Sequence, residues 1–206
     1  MLNIEIYYTE KAEEMLAKLK FRGKIFVMRY KPDECPKFFR ECGLACSIGL
    51  GGFGIIFLNE TVYNFPEDLR LFIIAHEISH IVRSHIIVNV FTRVFAKMMA
   101  ETLKESIKST IESKDFSDFL LNLLSTLFVA IMARGVINID AETVRHQELE
   151  ADKDAVVLVG CKSARIFSNL LNKLKEMGYN VSHEAILGVP ALTIEERIRK
   201  IEEMCP

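Results

Sequence analysis

The sequence predicts an α+β fold, in which a small N-terminal antiparallel or mixed sheet precedes a mainly helical half. Three observations carry this reading. Short β-rich runs bounded by turn residues lie within residues 1–60. From Pro66 onward the apolar spacing is helical. Glycines and capping residues then fall where helices would end. Strands first and helices later is the signature of this class rather than of alternating α/β units. We read 1–206 as one domain, with a strand-rich part over 1–60 and a helical part over 61–206. No repeat, linker or low-complexity segment divides it.

The elements follow in order. Residues 3–8 alternate as a strand would, and Thr9 is placed to cap a helix running to Lys20. Lys24–Tyr30 reads as a strand and Pro36–Cys42 as a short helix. Residues 45–59 hold one or two strands with glycines between them. Asn64 or Phe65 would then cap a helix with Pro66 in its first turn and Glu67 and Asp68 at its positive end. Apolar residues lie on every side of this helix, as expected of an element surrounded by protein. Gly160 and Gly178 terminate later helices, and Thr193-x-x-Glu196 forms a capping box for the last.

Two apolar stretches lie between, at 86–100 and 119–133. The second has 15 residues, short of the roughly 20 that a membrane span needs, and Asn122, Ser125 and Thr126 interrupt it. A buried helix or helical hairpin is the better reading. The mean hydropathy of +0.19 is high for a soluble chain, so membrane attachment or self-association through 86–100 and 119–133 is the alternative. The charged segment 104–118 between them is expected to be exposed.

The richest chemical signal is His76-Glu77-Ile78-Ser79-His80. On a helix its histidines stand one turn apart on one face, where both can bind one metal ion. Glu77 is then placed as general base toward a metal-activated water. Two imidazoles left in an apolar helix without such a partner would cost several kcal/mol. A catalytic zinc needs a third protein ligand and an open position. The run Glu148-Leu149-Glu150-Ala151-Asp152-Lys153-Asp154 offers two registers. Glu148 and Asp152 share a face with Ala141, Val144, Ala151, Ala155 and Val159, whereas Glu150 and Asp154 share theirs with Thr143, His146, Gln147 and Lys153. The first face suits a core and the second suits water. Glu148 is therefore the expected ligand, and Asp152 the expected hydrogen-bond partner of a ligand histidine.

This pair of motifs resembles the gluzincin metallopeptidases of the HtpX and CAAX prenyl protease types, which carry H-E-x-x-H on one helix and E-x-x-A-D on a later one. Ala45–Asn59 is similar to the glycine-containing strand segment before the motif helix there. Pro190–Ile198 is similar to their C-terminal segment, where a proline precedes an arginine–isoleucine pair. The resemblance spans about residues 40 to 200 and implies a zinc endopeptidase with one zinc ion per chain acting on polypeptides. It also implies an edge strand over the cleft, with Ala45, Cys46 and Ser47 binding the substrate backbone by strand addition. One position departs. Val189 stands where those enzymes have a histidine, and His183, Tyr179 and Arg197 are the candidates to replace it in stabilising an oxyanion.

The remaining composition bounds the partners. A net charge of −2 without a basic cluster predicts no nucleic-acid partner. The start Met1-Leu2-Asn3-Ile4-Glu5 lacks a signal-peptide pattern, which predicts a cytoplasmic protein, membrane-associated if the apolar stretches are used that way. Five cysteines in an unexported chain are expected to be reduced. Two other functions fit the motifs: a zinc-binding regulatory or latent module without hydrolysis, and a membrane-associated quality-control protease.

Overall fold

The computed structural model describes residues 4–31, 43–50, 52–184 and 190–206. It has two compact units, one formed by Met1–Ile86, Gln147–Asn180 and Thr193–Pro206, the other by Ile87–His146 and Val181–Leu192. The α+β class holds, with a small mixed sheet followed by a helical half. The short helix expected at Pro36–Cys42 lies outside the described residues.

The first unit begins with α1 (Ile4–Lys18), which corrects the strand expected at 3–8. Tyr8, Ala12, Met15 and Leu16 are its buried residues. Their spacing continues the helical period backward through Thr9, and it prevails over six residues of alternation. Thr9 is not a helix cap; its hydroxyl accepts from the Val27 amide at 3.0 Å.

β1 (Lys24–Tyr30), β2 (Ala45–Leu50) and β3 (Phe53–Asn59) form a sheet of order β1-β3-β2. β1 runs parallel to β3 and β2 antiparallel to it, with Ser47 opposite Ile56 and Gly49 opposite Gly54. β2 is thus an edge strand of this sheet, as the resemblance implied. Ile25, Val27, Ile56 and Leu58 are buried in a core shared with α1 and the motif helix.

That helix, α2 (Glu67–Val82), follows a short 3₁₀ turn at Glu60–Asn64. Pro66 itself is the N-cap, one residue beyond the positions read from sequence. Phe72, Ile74, Ala75 and Ile78 are fully enclosed, each larger side chain contributing about 1.5–3 kcal/mol of hydrophobic stabilisation. The glycine pair decides how close α2 comes to the sheet. A Cβ on Gly49 would lie 2.5 Å from Ile81 Cγ2, and one on Gly54 would lie 2.7 Å from Ile81 Cδ1. Neither strand could carry a side chain there without pushing Ile81 away.

The C-terminal part of α4 (Phe116–Val159) belongs to this unit from Gln147 onward. After Gly160, α5 (Cys161–Glu176) stacks Phe167 on Phe72 with ring centroids 4.5 Å apart. The last helix, α6 (Ile194–Met204), is capped by the Thr193 hydroxyl, which accepts from the Glu196 amide as the capping box predicts. A disulfide joins Cys161 to Cys205, and Cys46 is disulfide-bonded as well. The expectation of reduced thiols is corrected accordingly: Cys161 starts α5 and Cys205 ends α6, and helix packing brings their Cα atoms to 5.5 Å.

In the second unit, α3 (His85–Ile111) and α4 form a helical hairpin. Of the two readings offered for these stretches, the hairpin holds and the buried helix does not. An 18-residue window of α4 has a mean hydropathy of 1.9, and none of its residues is fully buried. Of the polar residues that interrupt the run, Asn122 and Thr126 turn toward α3, while Ser125 is exposed. Thr126 lies 2.8 Å from Ser106 and 2.9 Å from Thr110, and Asn122 donates to Ser113 Oγ at 2.8 Å. β4 (Val181–Glu184) and β5 (Pro190–Thr193) pair as a two-stranded ribbon.

Candidate metal centre

All five residues singled out for the centre, His76, Glu77, His80, Glu148 and Asp152, lie within the first unit. His76 and His80 stand one turn apart on α2, and their Nε2 atoms are 3.1 Å apart. Glu148 reaches both from α4, with Oε2 3.3 Å from His76 Nε2 and Oε1 3.4 Å from His80 Nε2. The three ligand-type atoms lie within 4.8 Å of one another. Two imidazole nitrogens and one carboxylate in this arrangement fit a zinc ion by donor type and number. Glu77 is buried on the same helix beside His76.

Ala151 and Ala155 are fully buried. Small residues there let α4 lie close against its neighbours, which is how a glutamate from a distant segment reaches two histidines on another helix.

A second layer holds the first. Asp152 Oδ1 is 3.0 Å from His76 Nδ1. Arg197, from α6, donates to both Asp152 oxygens, at 2.8 and 2.6 Å. Burial would push the Asp152 carboxyl up, but the Arg197 charge and the His76 bond outweigh it and hold the group below its usual range. Burial likewise disfavours a charged His76, yet the Asp152 and Glu148 carboxylates prevail and push it up to about 10. His80 is pushed down to about 4, chiefly by burial. In the metal-free centre His76 is therefore the charged ring of the pair and His80 the neutral one.

The structure corrects the reading of Glu150 and Asp154 as a solvated face. Asp154 accepts from Ser79 Oγ at 2.7 Å and from Arg83 Nε and Nη2 at 2.7 and 3.1 Å. Arg83 Nη1 also donates to Glu150 at 2.9 Å. These acids flank the buried alanine stripe and tie α4 to the C-terminal end of α2.

One participant has no signal in the sequence. His85 is buried, and its Nδ1 is 2.9 Å from His80 Nδ1. Five residues after His80, it would not share that face on a continuous helix. The chain breaks at Ser84, where φ is 57°, and this left-handed residue swings His85 back.

The other candidates are dispersed. Tyr179 is exposed after α5. His183 lies on β4 in the second unit, its Nδ1 3.0 Å from Ser182 Oγ. In β2, Ser47 is buried, while Ala45 and Cys46 are partly so. Val189 lies outside the described residues.

Residues 45–189, well over half of the chain and spanning both motifs, match the model of Peptidase family M48. No curated protein and no solved structure matches.

Proposed function

The chain belongs to Peptidase family M48 and is a metallopeptidase, and from that premise we propose that it is a zinc-dependent endopeptidase acting on polypeptides. The observation that carries the proposal is the convergence of His76, His80 and Glu148 from two helices. These three would hold one zinc ion and leave a position open, which distinguishes a hydrolytic site from a purely structural one closed by four protein ligands. When bound, zinc supplies a Lewis acid that polarises a peptide carbonyl and acidifies water.

The chain's own groups perform the rest. Glu77 takes the proton of the attacking water and delivers it to the leaving amine. Asp152, gripped by Arg197, fixes the His76 ring and raises its basicity as a ligand. β2, an edge strand of the sheet, is assigned the binding of the substrate backbone at Ala45, Cys46 and Ser47 by strand addition. Arg197 is directed at Asp152, so we assign it the holding of that carboxylate. Tyr179 and His183 are the oxyanion candidates to test singly. The whole chain acts as one catalytic domain.

A specific observation favours membrane association. The α3–α4 hairpin turns Thr126 and Asn122 inward and exposes Leu121, Leu124, Phe128 and Ile131. Polar groups satisfied between helices with apolar groups outside is the arrangement that suits lipid. Flotation with phospholipid vesicles tests it, and a protein that stays monomeric in the bottom fraction without detergent argues against it.

The decisive experiment compares cleavage of an unfolded protein substrate by the wild type and by Glu77→Gln, with zinc measured in both. One zinc per chain in each and cleavage only by the wild type supports the endopeptidase. Zinc in both and cleavage by neither favours a regulatory or latent module. No zinc in either overturns the assignment.

A further inference from the structure

We propose that His85 is a positioning residue that locks His80 into the one tautomer able to bind a metal. The inference rests on reading His76, His80 and Glu148 as the ligands.

His80 presents Nε2 to the centre, facing His76 Nε2 at 3.1 Å and Glu148 Oε1 at 3.4 Å. Its other nitrogen, Nδ1, lies 2.9 Å from His85 Nδ1. Two ring nitrogens at that distance share one hydrogen, so one donates and the other accepts. The sense of this bond decides the fate of the centre. If His85 donates, His80 accepts at Nδ1 and carries its own hydrogen on Nε2, where a metal would have to sit. If His80 donates, its Nε2 lone pair is exposed to the metal.

The surroundings select the second arrangement. With Nδ1 accepting, a neutral His85 carries its hydrogen on Nε2. That nitrogen faces Glu150 Oε2 at 3.9 Å, a carboxylate that Arg83 holds in place at 2.9 Å. The negative charge favours a hydrogen on the near side of the His85 ring and so an acceptor on the far side, toward His80. The result is a hydrogen bond directed from His80 to His85, with the Glu150 charge on the opposite side of the His85 ring. The turn at Ser84 fixes its geometry: the Ser84 amide donates to Ile81 O at 3.1 Å, and φ of 57° brings His85 under the end of α2.

The two histidines are therefore unequal ligands. His76 is backed by a carboxylate at 3.0 Å, which makes it the more basic donor. His80 is backed by a neutral imidazole, which orients it without adding charge.

The test is zinc affinity of the full chain, measured by competition with a chromogenic chelator, for wild type, His85→Leu and His85→Asn. The Asn side-chain oxygen stands near the place of Nδ1 and can accept the same hydrogen. Leu should weaken zinc binding by about 10–100-fold, and Asn should recover most of it. The visible absorption of the cobalt-substituted protein should shift in Leu and not in Asn. Nitrogen shifts of the His80 ring in the zinc-loaded wild type should show hydrogen on Nδ1, a readout independent of any variant's folding. Wild-type affinity in Leu, equal losses in Leu and Asn, or hydrogen on His80 Nε2 would each overturn the role of His85 alone. A wild type that binds no zinc overturns the ligand assignment and this inference with it.

Discussion

Asp152 meets His76 on the ring edge opposite the metal centre: Oδ1 is 3.0 Å from Nδ1, while Nε2 of the same ring faces Glu148 at 3.3 Å. One carboxylate thus orients the histidine and another shares its inner side. Because Arg197 grips Asp152 from α6, three helices converge on one ring.

Replacing Asp152 by Asn should weaken zinc binding about 10–100-fold. It should also lower the stability of the metal-free protein by about 3–5 kcal/mol, because Arg197 is left buried without its counter-charge. Adding Arg197→Met should restore much of the stability and little of the zinc affinity. Urea unfolding and chelator competition separate these effects; an unchanged unfolding midpoint in Asp152→Asn would contradict the account.

Metal binding should release a proton. His76, held up at about 10 in the metal-free centre, must lose its Nε2 hydrogen before a metal can occupy that position. Apparent zinc affinity should then rise about tenfold per pH unit through the neutral range. Calorimetry in two buffers of different ionisation heat should count about one proton per zinc at neutral pH. Stability of the metal-free fold follows the opposite sign. A histidine raised from 6.5 to about 10 contributes its full stabilisation below 6.5 and loses it as pH climbs toward 10. The melting temperature of metal-free protein should fall across that window, and a rise would refute the assignment.

The glycine pair under Ile81 should tolerate no methyl group. Gly49→Ala meets Ile81 Cγ2 at 2.5 Å, on the stiff branched carbon, while Gly54→Ala meets Cδ1 at 2.7 Å, the mobile end of the chain. Both should destabilise, Gly49→Ala more, by about 1–3 kcal/mol. Ile81→Val in the same background should recover part of the loss in Gly54→Ala.

The sequence made the centre legible because helical geometry converts spacing into position. His76 and His80 had to share a face, and the alanines around Glu148 and Asp152 marked a packed side. What stayed hidden depends on contacts between distant segments. Glu150 and Asp154 read as solvated because their own helix shows only polar neighbours on that side; Arg83 and Ser79, on another helix, supply the partners. His85 needed the turn at Ser84, which no local preference announces. The misread strand at 3–8 was a contest of periods, won by the longer one. In the hairpin, apolarity suggested burial, yet Thr126 and Asn122 are the residues turned inward.

The Cys161–Cys205 bridge should stabilise the fold by about 4 kcal/mol, since it closes a loop with a sequence separation of 44. Cys205→Ser should lower the urea midpoint under oxidising conditions and leave it unchanged under strong reductant.

That bridge also bears on survival of a nicked chain. The covalent ring it closes contains β4, β5 and all of α6 before Cys205. A single backbone cut anywhere inside the ring leaves the segment bearing Arg197 attached to α5. The cleaved molecule would run as one species without reductant and as two with it. In a protein whose chemistry is the cutting of chains, the support of Asp152 is thereby tied in by a bond that peptide hydrolysis cannot sever.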